Sequence, residues 1–210
     1  MSTRVPNGST TLRKLPQQGR SRATVEIIVE AGARVLGALG WRGFTTNKVA
    51  AAAGVSIGSL YQYFPDKASL VEAIREKHLA DCLAILRASR ESDLTGAPVV
   101  HQLVKGLIDV HDTAPGLHRV LLEEAPEGRS DRLEPQSTYE REYLGHYAAV
   151  VARLLPRCRP DKAGRIAVIV SDAVDGVIHN AARRGSLNQP ELQSELVSLI
   201  LRYVTGRGSA

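Results

Sequence analysis

The run TTNKVAAAAGVSIGSLYQYFPDK, residues 45–67, crowds side chains that can hold phosphates and read base edges into two short helical patterns. Ser59 and Gln62 can hydrogen-bond base edges, and Gln suits adenine in a bidentate mode. Asn47 stands where it could reach a base edge. Tyr61 can touch a thymine methyl or a phosphate. Thr45, Thr46, Lys48, Tyr63 and Lys67 are placed to hold phosphates, which fix register without reading sequence. Ile57 shares that face, and Gly58 lets backbone approach backbone or base. Taken singly, a Ser, Gln or Tyr is an ordinary surface residue, and Tyr61 and Tyr63 would serve equally as packing at a core rim. The assembly is the signal: a helix-turn-helix whose second helix enters a DNA groove.

Local chemistry predicts the elements that position these groups. Thr45 and Thr46 start the first helix of the pair, one hydroxyl accepting a backbone N–H. Val49, Ala50 and Ala53 face inward. Gly54 supplies the left-handed turn that ends this helix. Ser56 caps the next, Ile57 to Tyr63, in which Leu60 and Phe64 lie four apart and face the core. Pro65 and Asp66 stop it, with Asp66 capping the following helix. Upstream, Val25, Ile28, Val29, Gly32, Leu36 and Leu39 make one apolar stripe on a helix from about Ser21 to Leu39. Gly40 is expected as its left-handed cap, and Trp41 and Phe44 as plugs beneath the pair. Residues 1–20, rich in Ser, Thr, Pro, Gly and Gln, read as a flexible basic arm, either trailing beside DNA or inert.

Charge follows the same division. The chain carries +5 at pH 7, with +6 on residues 1–67 and −1 on the rest. Such asymmetry is the electrostatic footprint of a polyanion partner, or else a basic surface that aids solubility.

Every later element also reads as a helix. Leu70, Val71, Ile74, His78, Cys82 and Ile85 form the buried face of a long one, Lys67 to about Ser89. Further helices are expected over Pro98–Thr113, Pro115–Glu124, Leu133–Leu155, Asp161–Arg184 and Pro190–Val204, with a loop at Ala125–Arg132 and Gly206 ending the last. No period-2 strand pattern survives. The fold class is therefore all-α, with about nine helices. The 43% hydrophobic content suffices for a real core.

Catalysis and metal binding are not expected. The six histidines form no H-E-x-x-H or close ligand set, and Pro115 and Gly116 break any helical face shared by His111 and His118. No nucleophile elbow, phosphate-binding glycine loop or C-x-x-C occurs. The two cysteines, Cys82 and Cys158, are far apart and suit a reducing cytoplasm. No apolar run reaches the length of a membrane helix and no signal-peptide core is present. No cofactor is implied. His78, Cys82, His111, Tyr143, Tyr147 and His179 face inward by pattern and could line a ligand cavity, or simply pack the core.

Phe44-x-Thr46, Val49-Ala50, Ala53-Gly54-Val55-Ser56 and Leu60-Tyr61-x-Tyr63-Phe64, with Lys67 and Leu70, resemble the TetR family of bacterial transcriptional regulators over about residues 21–80. PGLHRVLLEEAP and the helix containing Asp172–His179 more weakly resemble its ligand domains. The resemblance implies an all-helical homodimer in three parts. Residues 1–20 form the arm. Residues 21–81 form a DNA-binding domain with the helix-turn-helix at about 45–64. Residues 82–210 form a ligand-binding and dimerisation domain, its last two long helices making the dimer interface. Those two helices are apolar around much of their girth, which fits an interface or the core of a monomer. The implied activity is repression from a palindromic operator, released by a small-molecule effector. Two alternatives stand beside it. One is a DNA-binding regulator without an effector, controlled by a protein partner or by abundance. The other is a helical enzyme that retains a helix-turn-helix.

Overall fold

The computed structural model of the chain describes residues 19–125 and 138–208. Among them are nine α-helices and one π-helical turn, and no strand. They are α1 (Gly19–Gly43), α2 (Thr46–Ala53), α3 (Ile57–Tyr63), α4 (Lys67–Glu91), α5 (Ala97–Asp112), α6 (Leu117–Arg119), the π turn (Val120–Glu124), α7 (Thr138–Leu154), α8 (Pro160–Arg184) and α9 (Pro190–Gly208). Residues 1–18 of the expected arm lie outside the described residues, while Gly19 and Arg20 already belong to α1. Most of the loop expected at Ala125–Arg132, and the helix start expected at Leu133, also lie outside them.

Capping follows the side-chain chemistry. Thr45 accepts from the Lys48 N–H at 3.3 Å, and Ser56 from the Ser59 N–H at 3.0 Å. Asp66 and Ser69 form a reciprocal capping box that starts α4. Gly54 ends α2 in the left-handed conformation, φ 68° and ψ 26°, its N–H reaching back to the Ala50 and Ala51 carbonyls.

Several expectations need correction. Gly40 has positive φ, but its ψ of 177° is extended, so it kinks α1 instead of closing it in a left-handed cap. Leu39 falls off the buried stripe and is 48% exposed. Pro115–Glu124 is a turn, a three-residue α6 and a π turn, not one helix. Gly206 does not stop α9, which continues to Gly208.

Two hydrophobic cores result. The first packs Ile28, Leu36, Phe44, Val49, Leu60, Phe64, Leu70 and Ile74 from α1–α4 and their connections. It also takes in Leu117, Val120 and Leu121 from α6 and the π turn. The second packs Leu86, Leu103, Leu107, Tyr147, Val174, Ile178, Ile200 and Val204 from α4, α5, α7, α8 and α9. Helix α4 runs through both.

The seam between α1 and the α5–α6 turn is close backbone packing. A Cβ on Gly37 would meet the Pro115 carbonyl oxygen at 2.9 Å, and one on Gly116 would meet the Gly37 carbonyl oxygen at 3.0 Å. Two hydrogen bonds flank it. Arg75 on α4 donates to the Leu121 carbonyl at 3.0 Å, and the Trp41 N–H donates to Glu124 at 2.9 Å. Glu124 is held in turn by Arg119.

The turn between α2 and α3 can be tested by substitution. Gly54→Val should lower stability by about 1–2 kcal/mol, the cost of left-handed backbone for a residue with a Cβ. Chemical denaturation reads it directly. A Cβ there meets nothing within 4 Å, so any loss is conformational and not steric.

Candidate functional site

The α2–α3 pair presents one polar face. Asn47, Lys48, Ile57, Gly58, Tyr61 and Gln62 are exposed, while Leu60 and Phe64 anchor the underside at 0% exposure. Thr46 and Tyr61 hydrogen-bond through their hydroxyls at 3.1 Å, which ties the start of α2 to α3. Tyr63 is half-buried and packs against the first core. Gly58 has no packing reason to be glycine: a Cβ there would touch only Ser56 Oγ, at 3.8 Å, and its φ is not positive. That leaves a flat backbone patch in the middle of the exposed face.

The two lysines are partly engaged. Lys48 Nζ donates to the Gly43 carbonyl at 2.9 Å. Lys67 Nζ donates to the Trp41 carbonyl at 2.7 Å and sits 3.5 Å from the centroid of the Trp41 ring. Burial lowers the Lys67 pKa. Lys67 thus fastens the start of α4 to the end of α1, and Trp41 plugs the joint by a cation–π contact.

A second site lies where α4, α5, α6, α7 and α8 meet around a cavity of about 310 Å³. Of the six inward residues expected from the sequence, His78, Cys82, His111, Tyr143 and His179 line it. Tyr147 does not, but lies fully buried behind Tyr143, ring centroids 5.2 Å apart. Sequence periodicity missed His118, Tyr139 and Asp175, which also line the cavity. Asp175 stands one turn before His179 on α8, a spacing that could have revealed it.

Four imidazoles converge at one end. His78 Nε2 and His118 Nδ1 are 3.2 Å apart, and His111 Nε2 and His179 Nε2 are 3.0 Å apart. His118 stacks on His179 with centroids 3.5 Å apart, and 5.7 Å separate the centroids of His111 and His118. Pro115 and Gly116 do break the helix between His111 and His118, but the expectation that the histidines form no close set is overturned. The break is the cause of their meeting, because it turns α6 out of the line of α5 and sets it against α1 and α8.

Burial sets the protonation. It lowers His78 to about 3, helped by His111, His179 and Lys77, and His179 to about 4, helped by His111. It lowers His118 further and also His111, whose bond to Leu107 works the other way. All four rings are neutral at neutral pH. A carbonyl only accepts, so His111 Nδ1 donates to Leu107 at 2.8 Å and keeps its lone pair on Nε2.

The other end carries a phenol–carboxyl pair. Tyr143 donates to Asp175 at 2.6 Å. Burial raises the Asp175 pKa to about 6, against the pull of that hydrogen bond, and Asp172 adds to the rise. Burial also pushes the Cys82 thiol up to about 12, so it remains protonated. The cavity thus offers neutral imidazoles at one end and an acidic acceptor at the other.

A carboxyl whose folded pKa is raised favours the folded state while protonated. That advantage is lost as pH rises from the unfolded value near 4 to about 6. Asp175→Asn keeps an acceptor for Tyr143 and removes the charge. It should raise stability above pH 6 by about 1–3 kcal/mol and flatten that part of the stability profile. Denaturation across pH 4–8, read against the unmodified chain, checks both.

Comparison with known proteins agrees with this architecture. Residues 28–74 match the family model of bacterial regulatory proteins, tetR family, and residues 97–203 match the tetracyclin repressor-like C-terminal domain. Nucleoid occlusion factor SlmA of Actinobacillus pleuropneumoniae serotype 5b is 33% identical over 95 residues, 45% of this chain and 47% of that protein. The chain thus spans about half the length of that relative. A TetR-family transcriptional regulator from Streptomyces coelicolor superposes with a TM-score of 0.57 at 21% identity, covering 88% of this chain and 98% of the other. SmeT in its triclosan complex gives 0.58 at 21% identity, covering 88% and 91%. Among the described residues no helix is long and apolar enough to cross a membrane. Helix-turn-helix, bundle and family models coincide along the chain, which belongs to the TetR family of DNA-binding transcriptional regulators.

Proposed function

We propose that the chain is a cytoplasmic repressor that binds a palindromic operator as a homodimer and releases it when a small molecule fills the cavity. The observation that carries the reading is the continuity of α4. Its first turn supports α3 through Leu70 in the first core, and its middle turns supply His78 and Cys82 to the cavity. In this reading residues 1–20 are an arm, residues 21–81 the DNA-binding unit and residues 82–210 the effector and dimerisation unit. Thr45, Thr46, Lys48, Tyr63 and Lys67 hold phosphates, although Lys48 and Lys67 must share their donors with Gly43 and Trp41. Asn47, Ser59, Tyr61 and Gln62 face base edges, Ile57 and Gly58 make the close approach, and Ser56 caps the reading helix. An effector must bind the two states unequally to shift them. The triclosan complex of SmeT, a protein of like fold, supports a small molecule as the effector.

Dimerisation rests on α8 and α9. Val168, Ile169 and Leu199 are exposed at 39%, 50% and 48%. Ile166, Val168, Ile169 and Tyr203 line a groove edged by Lys162 and Arg165. Burying such a face against a second copy gives the two-fold symmetry that a palindrome requires.

Selection of bound DNA from a random library should return a palindrome. Recovery of no preferred sequence would overturn the reading. Gly58→Ala separates folding from recognition. It should preserve or raise stability, by up to about 1 kcal/mol of helix propensity, and weaken operator binding. Gln62→Ala should relax preference at one position per half-site, by about 1–3 kcal/mol for a lost bidentate contact. Ile169→Glu should give a monomer by light scattering and abolish binding to the full palindrome. A screen in which no compound raises the melting temperature would favour control by a protein partner or by abundance.

A further inference from the structure

We propose that His78, His111 and His118 form a binding site for one divalent transition-metal ion of the zinc, cobalt, nickel and copper group, clasping α4, α5 and α6 together. One ring nitrogen from each lies within 4.8 Å of one from each of the others. A tetrahedral ion with metal–nitrogen bonds of 2.0–2.1 Å needs its ligand nitrogens about 3.3 Å apart. His78 Nε2 and His118 Nδ1, at 3.2 Å, already span one edge of such a site. The third nitrogen, no more than 4.8 Å from either, closes on them by rotation of the His111 side chain.

The donor set fits the ion. His111 is turned by the bond from its Nδ1–H to the Leu107 carbonyl, the outer contact that orients ligating imidazoles and fixes which nitrogen is free. That leaves the lone pair on its Nε2, which accepts from His179 at 3.0 Å and exchanges that hydrogen bond for the ion on binding. Val110, Ala114, Leu117 and Ala182 supply apolar surround, with Arg119 and Arg183 also in the lining. No carboxylate belongs to the cluster, so the hard ions Mg2+ and Ca2+ find no oxygen cage, whereas imidazole suits the softer divalent ions. His179 lies outside the three-ligand group and stacks on the His118 ring. The fourth position goes to water or an exogenous donor.

The ligands come from elements with different duties. His78 belongs to the helix that supports the reading unit, and His118 adjoins Leu117, which lies in the same core as Phe44 and Leu60. Holding the two on one ion ties α6 to α4, and both pack against α1. A consequence for DNA binding rests on the regulatory reading above; the site itself does not.

The test uses full-length protein without a histidine tag, stripped by chelator and titrated with Co2+. The expected result is one ion per chain, with the intense visible bands of four-coordinate cobalt, displaced by Zn2+ and untouched by excess Mg2+. His118→Gln and His78→Gln should each weaken binding at least 100-fold, while His101→Gln, at an exposed position outside the cluster, should leave it unchanged. X-ray absorption of the unmodified protein's cobalt complex should count at least three imidazoles, which needs no variant to fold. No binding, a pale six-coordinate spectrum, or equal affinity in His118→Gln overturns the site. On the selected palindrome, Zn2+ should change the affinity of the unmodified protein at least 10-fold and leave His118→Gln unaffected. Bound metal with unchanged DNA affinity overturns the coupling. Absence of DNA binding even in the stripped protein counts against the regulatory reading alone, since the cobalt spectrum is read without DNA.

Discussion

The structure depends on the seam where α1 meets the turn before α6. Two glycines, Gly37 and Gly116, bring the backbones into direct contact. That contact lets Leu117, Val120 and Leu121 enter the core beneath the helix-turn-helix. Each such side chain, fully buried, is worth roughly 1.5–3 kcal/mol. Three of them amount to a large share of a typical domain's total of roughly 5–15 kcal/mol. The reading unit is therefore not held by its own helices alone.

The same seam explains the polar groups around it. Arg75 is buried because the π turn offers it the Leu121 carbonyl, and Glu124 is ordered by the Trp41 N–H and Arg119. These contacts fix how α6 packs against α1. That packing delivers His118 to the face that α4 and α5 already line with His78 and His111. Packing thus comes first and the histidine cluster follows. Four uncharged imidazoles in a low-dielectric setting persist because each supplies a donor or acceptor to another, or to backbone.

Sequence patterns disclosed the elements whose causes are local. The Thr45, Ser56 and Asp66 caps and the Gly54 turn depend on neighbours within four residues, and α3 runs from Ile57 to Tyr63 as its pattern dictates. The five cavity-lining residues identified by periodicity are those on long regular helices. His118 escaped because it sits on a three-residue helix, too short to have a period. Its position follows from the close contact of Gly37 with Gly116, two residues before it and far from Gly37 in the chain, which no window of sequence displays. Leu39 misled for a related reason: Gly40 bends the chain there, and the stripe ends a turn early.

The placement of Leu117, Val120 and Leu121 also bears on how such proteins can be recombined. A cut after Glu91 looks like a clean boundary, since α4 ends there. Yet a head severed at that point leaves behind the side chains that complete its own interior. Grafted onto a foreign bundle, it must bring residues 114–125 with it, or find there a glycine-crossed turn of the same shape. Heads and bundles are exchangeable parts only as far as that turn is shared.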